Sequence, residues 1–248
     1  MRLLLANPNT SQPVTDRLAR VAQAAAAPGT LVHAVTASIG PEYIATRAEA
    51  VLGAAATLEL MAAHAADADA AIVGAFSDPG LGAARELLDI PVVGMAEAAM
   101  LTACMLGRRF AIVTFAQALE PWYQECVDYN GLSGRSAGVF CLDEPFRGVA
   151  DVAEEKADQL AALCGRAIAA GAECCILGGA PLAGLAAGIS ARVPVPLVDA
   201  VVAAVKQAEA LVAQRPVKPR TGSFRRPGPK RLTGLSPALQ ALFEGRDG

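Results

Sequence analysis

Residues 71–81, AIVGAFSDPGL, return at residues 175–185 as CILGGAPLAGL. Ile72 falls on Ile176, Gly74 on Gly178, Gly80 on Gly184 and Leu81 on Leu185, all at an offset of 104 residues. Self-similarity at a fixed offset signals a duplicated unit. The echo runs on: IPVVGMAEAA at residues 90–99 matches VPLVDAVVAA at residues 195–204, now at an offset of 105. The opening RLLLAN, residues 2–7, is answered by RFAIVT, residues 109–114, at 107.

Each echo is a short apolar run that breaks into a small-residue loop and then a helical pattern. Strands alternating with helices predict parallel sheets with right-handed crossovers. The expected fold is therefore α/β, with two pseudo-symmetric lobes, each a mostly parallel sheet flanked by helices, and an active site in the cleft between them. Ligands of such sheets bind at the carboxyl ends of the strands, which sets Ala75 and Gly179 as corresponding positions facing each other. The first lobe is read as residues 1–97 plus 198–214, the second as 98–197, and residues 215–248 as a basic C-terminal arm.

Strands are predicted at residues 2–6, 31–37, 67–74, 91–94, 109–114, 137–142 and 196–198, besides the second echo strand. Helices are predicted at 14–27, 46–65, 82–88, 98–106, 121–129, 149–170 and 200–214. Residues 222–234 read as irregular, and 236–243 as one or two amphipathic turns.

With 248 residues, 54% hydrophobic and 18% charged, the chain can bury one large core or two modest ones. Aromatic residues make up only 4%, which argues against a stacking surface for nucleic acid. No apolar run reaches the roughly 18 residues of a membrane span, so no membrane partner is expected and a cytoplasmic location is the reading. The six cysteines show no CxxC spacing, and His33 and His64 stand far apart, so neither a zinc site nor a disulfide framework is favoured. Cys174 and Cys175, inside the second echo strand, read as core. From Arg215 onward eight Lys or Arg face Glu244 and Asp247, giving the arm +6 against −9 for the body. Spaced by Pro216, Pro219, Pro227 and Pro229, it reads as an extended arm lying on the acidic body or on a neighbouring subunit. Leu235, Leu239, Leu242 and Phe243 are its apolar anchors.

NPNT at residues 7–10, AFSDPGL at 75–81, PVVGMAEAA at 91–99, RFAIVT at 109–114 and ILGGAPLAGL at 176–185 resemble, in their order, the aspartate/glutamate/hydantoin racemase superfamily, nearest its hydantoin racemase branch. The resemblance covers about residues 1–214. It implies a homo-oligomer, a small-molecule substrate, no metal or cofactor, and two cysteines, one per lobe, working as base and acid on opposite faces of the substrate. On this chain those cysteine positions fall on Ala75 and Gly179, whose side chains transfer no protons.

The remaining candidates follow. Glu42, in the loop after the second strand, is the expected acid or base, with Tyr43 beside it and Ser77 as hydrogen-bond donor to a carbonyl or oxyanion. Asn9, Thr10, Arg47, Phe76, Asp78, Thr114 and Ala180 join Ala75 and Gly179 as expected substrate contacts. Asp78 before Pro79 reads equally as a turn or cap, and Glu97 and Asp199 as helix caps. The leading expectation is a cofactor-independent enzyme acting on a hydantoin-like ring or carboxylate, by hydrolysis at a cyclic amide or thioamide carbon with Glu42 activating water. A racemase-type isomerase or decarboxylase using other groups, and a non-catalytic binding protein, stay open.

Overall fold

Among the residues described by the computed structural model, 1–145, 147–228 and 230–245, the strands form two four-stranded parallel sheets. The first sheet takes β1 (Arg2–Asn7), β2 (Leu31–Thr36), β3 (Ala70–Val73) and β4 (Val92–Gly94) in the order β2-β1-β3-β4. The second takes β5 (Phe110–Thr114), β6 (Ser136–Cys141), β7 (Cys174–Leu177) and β8 (Leu197–Asp199) in the order β6-β5-β7-β8. Helices α1 (Gln12–Ala25), α2 (Arg47–His64), α3 (Leu81–Leu87) and α4 (Met95–Leu106) alternate with the first set. Helices α5 (Glu120–Tyr129), α6 (Val152–Glu155), α7 (Ala157–Ala169), α8 (Leu185–Ile189) and α9 (Ala200–Gln214) alternate with the second.

The central strands are apolar on both faces because helices cover both. Leu3, Leu4, Leu5 and Ala6 of β1, and Cys174, Cys175, Ile176 and Leu177 of β7, are all buried, as strands of doubly covered parallel sheets must be. The echo is physical. Gly74 N–H donates to Ala6 O at 2.8 Å and Gly178 N–H to Val113 O at 2.9 Å, and Ala6 and Val113 are themselves matched by the opening repeat. Helix α4 leaves the first sheet to pack on β7 and β8, while α9 leaves the second to pack on α1, β3 and β4. The two helices also pack on each other.

One junction shows how the halves diverged. Asp199 caps α9, accepting from Val201 and Val202, and also from Gly184 N–H of the loop after β7. Its counterpart is Gly94, and there the carboxylate comes from the opposite side: Asp78, in the loop after β3, accepts from Ala96 N–H and Glu97 N–H, both at 2.8 Å. A carboxylate thus joins the same two elements in each lobe. A side-chain carbon on Gly94 would lie 2.3 Å from Asp78 Oδ2. Gly94→Ala is therefore expected to cost about 1–3 kcal/mol through overpacking, read as a lower denaturation midpoint with an unchanged slope.

Two helices differ from expectation in ways with a physical cause. Helix α4 begins at Met95 rather than at residue 98 because its cap arrives from Asp78. The long helix expected over 149–170 is broken at Lys156, whose buried ammonium turns to Glu144 and Glu155. His33 and His64, distant in sequence, meet with ring centroids 5.8 Å apart. They line a cavity with β2 and the C-terminal end of α2.

The arm lies on its own first lobe. Helix α10 (Pro237–Glu244) packs on α2, with Leu239 buried and Leu242 against the α2 and α3 core layer. Ser236 binds Glu59, and Arg226 pairs with Asp89 at 3.2 Å. Pro229 and residues 246–248 of the arm lie outside the described residues. No helix among the described residues is long and apolar enough to cross a membrane.

Candidate functional site

The carboxyl ends of β1, β3, β5 and β7, the two central strands of each sheet, bring Asn7–Thr10, Ala75–Asp78, Thr114–Phe115 and Gly178–Ala180 to the lobe junction. A side-chain carbon on Gly178 would meet the rings of Phe76 and Tyr123, each at 3.3 Å, and one on Gly179 would meet Phe115 Cε1 at 2.9 Å. Phe76 belongs to the first lobe, so the two echo loops do face each other. Phe76 packs on Tyr123 at 4.7 Å and Tyr43 on Phe115 at 5.7 Å, so the centre of the junction is aromatic.

Within that setting two polar groups stand out. Ser77 Oγ and Tyr43 Oη are the buried side-chain nitrogen or oxygen atoms that have no hydrogen-bond partner among the described residues. Leaving a buried hydroxyl unpaired costs about 1–3 kcal/mol. Ser77 and Asp78 also hold φ of 94° and 56°, left-handed values that strain a side-chain-bearing residue and concentrate at ligand sites. Burial pushes the Tyr43 hydroxyl far above its ordinary pKa, with Glu49 and then Cys141 adding to it, so it stays protonated, a donor left without an acceptor among the described residues.

Asp78 is buried, and desolvation pushes its carboxyl up to about 7. The Ala96 and Glu97 amides pull the other way, the Glu97 carboxylate pushes up, and Arg85 pulls down. With Ser77 it lines a cavity of about 330 Å³ closed on the other side by Trp122, Glu125, Cys126, Tyr129 and Asn130 of the second lobe. Burial, with Asp78 and Glu97 nearby, holds the Cys126 thiol far above its usual range. Burial and Glu120 hold Cys141 up at about 12. Neither thiol is a thiolate at neutral pH.

The other expected contacts are distributed unevenly. Asn9 is buried in a network, its Oδ1 accepting from Asn7 Nδ2 and Ser11 N–H, both at 2.9 Å. Thr10 N–H donates to Pro41 O at 3.0 Å, tying the loop after β1 to the loop carrying Tyr43. The Thr114 hydroxyl donates to Gly178 O at 2.8 Å. Ala75 and Ala180 are buried. Arg47 is exposed and clamps Glu125 across the lobes, and Arg17 does the same with Glu154 at 2.7 Å. Glu42 is exposed and has no hydrogen bond or ion pair among the described residues, so it is not brought to the buried turn. Arg85, bound to Glu97 behind Asp78, was not singled out from sequence. No group of three or more His, Cys, Asp or Glu among the described residues is placed to hold a metal.

These features define a two-lobed α/β protein with an interlobe site built from duplicated strand ends. The chain belongs to the Asp/Glu/hydantoin racemase family, whose model matches residues 3–208. It is 34% identical over 236 residues to a hydantoin racemase of Paenarthrobacter aurescens, covering 93% of this chain and 99% of that protein. An allantoin racemase from Klebsiella pneumoniae superposes with a TM-score of 0.90 at 33% identity, over 98% of each chain. Arylmalonate decarboxylase, at 20% identity and a TM-score of 0.60 over 86% of this chain and 92% of its own, shares the fold.

Proposed function

We propose that this chain is a cofactor-independent enzyme that holds a hydantoin- or allantoin-like cyclic ureide between its lobes and opens the ring by hydrolysis. The observation that carries the reading is the pair of unpartnered buried hydroxyls, Ser77 in the first echo loop and Tyr43, packed on the Phe115 ring that abuts Gly179 of the second. Ring carbonyl oxygens are acceptors that would satisfy them. Asp78 takes the part that sequence reading gave to Glu42, because a carboxyl poised near 7 is suited to proton transfer at neutral pH. In this reading Asp78 accepts a proton from water as its oxygen bonds to a ring carbonyl carbon. Ser77 and Tyr43 stabilise the oxyanion, and the C–N bond breaks as Asp78 returns the proton to the leaving nitrogen. Each Asp78 oxygen already accepts one amide and keeps a lone pair for this.

The near full-length similarity to racemases supports a second reading, stereoinversion at the ring carbon with Asp78 carrying the proton. One assay separates them. A panel of allantoin and chiral 5-substituted hydantoins in deuterated water is expected to give products heavier by one water, with no enzyme-dependent deuterium at the ring carbon. Deuterium uptake with loss of optical activity and an intact ring overturns hydrolysis in favour of inversion. Ser77→Ala and Tyr43→Phe are each expected to lower turnover about 10²-fold, the cost of losing one positioned donor.

A further inference from the structure

Behind the Ser77–Asp78 turn, a line of contacts runs to the arm. Asp78 holds the Glu97 amide, and the Glu97 carboxylate is gripped by both terminal nitrogens of Arg85, one at 3.0 Å. Arg85 Nε donates to Val92 O at 2.9 Å, and its guanidinium carbon lies 5.5 Å from the centroid of the Phe224 ring in the arm. The same arm sends the Lys218 ammonium onto Arg85 O and, at 2.7 Å, Leu88 O, the carbonyl end of α3. A cation there complements the helix dipole. Arg85 and Glu97 are each only 22% exposed, so the arm helps keep water off this pair.

We propose that the C-terminal arm, through Phe224 and Lys218, is a positioning element for the Ser77–Asp78 turn, acting through Arg85 and Glu97. Phe224 covers the guanidinium and Lys218 fixes the helix that carries it. Arg85 then holds Glu97 and the first turn of α4, whose amides hold Asp78. Among the described residues the other lobe has no such support from the arm: Asp199 caps α9 directly from within its own junction. That difference provides an internal reference. The catalytic consequence rests on the reading of Asp78 given above, whereas the structural part does not.

The test is amide hydrogen exchange on the full chain. In Phe224→Ala, protection at Ala96 and Glu97 is expected to fall about 10-fold or more while Val201 and Val202 stay protected as in the wild type. Lys218→Met should act in the same direction, and Phe224→Tyr, which keeps a ring over Arg85, should restore protection. Unchanged protection at Ala96 and Glu97 overturns the proposal, as does an equal loss at both caps, which would report general loosening. Kinetics separate the two layers. A fall in kcat with KM held supports both. Lost protection with unchanged turnover keeps the positioning contact and removes Asp78 from the chemistry.

Discussion

Asp78→Asn is expected to lower turnover of the ring substrate by about 10²- to 10⁴-fold, the usual loss when a positioned acid or base is removed. Asparagine cannot carry the proton, and its NH₂ would face one of the two amides that Asp78 now accepts, Ala96 or Glu97. The wild type should show kcat/KM rising with pH and levelling above about 7, where the carboxyl is ionised and can act as base. The variant's residual rate should lack that limb. Stability moves the other way. Because burial first of all raises the folded pKa from 3.8 to about 7, the carboxyl's contribution is fully present below 3.8 and is lost as pH rises through about 7. Denaturant titrations from pH 5 to 8 should show the wild type losing on the order of a few kcal/mol that the Asn variant does not lose. Wild-type turnover by the variant would take Asp78 out of the mechanism.

What could be read in the sequence follows from what forms locally. Strands buried on both faces must be apolar runs, so β1, β3, β5 and β7 announced themselves, and duplication made each confirm another. Helix α9 was legible to the residue because its cap, Asp199, is adjacent in sequence. Helix α4 was not, because its capping carboxylate comes from 18 residues upstream. The loop after β2 shows the same limit at the site. Glu42 and Tyr43 are neighbours, yet one side chain reaches solvent and the other the junction, and which one turns inward is decided by packing on Phe115. Arg47, an expected substrate contact, clamps Glu125, a partner 78 residues away. In sequence the Asp78 carboxyl reads both as a cap and as a functional group. In three dimensions it is a cap, and its burial gives it the pKa that the proposed chemistry needs.

Placing thiols at the two echo positions, where the family resemblance implies cysteines, is expected to fail at one of them. Ala75→Cys adds a sulfur at a buried position with an ordinary backbone and should fold. Gly179→Cys meets two obstacles. Position 179 holds φ 125° and ψ 131°, a conformation side chains rarely adopt. Its new carbon would also lie 2.9 Å from Phe115 Cε1 before any sulfur is added. Phe115 is 1% exposed and packed on Tyr43, so the ring has nowhere to withdraw. Strain and overpacking together should cost roughly 2–5 kcal/mol. The double variant should therefore melt well below Ala75→Cys alone and show no deuterium uptake at the stereocentre of a chiral hydantoin. A double variant that melts like the wild type and racemizes would mean that the backbone at 179 readily takes another conformation. The aromatic junction would then accept the two-thiol arrangement that the resemblance implies, whereas a fold that rejects cysteine there is built around glycine.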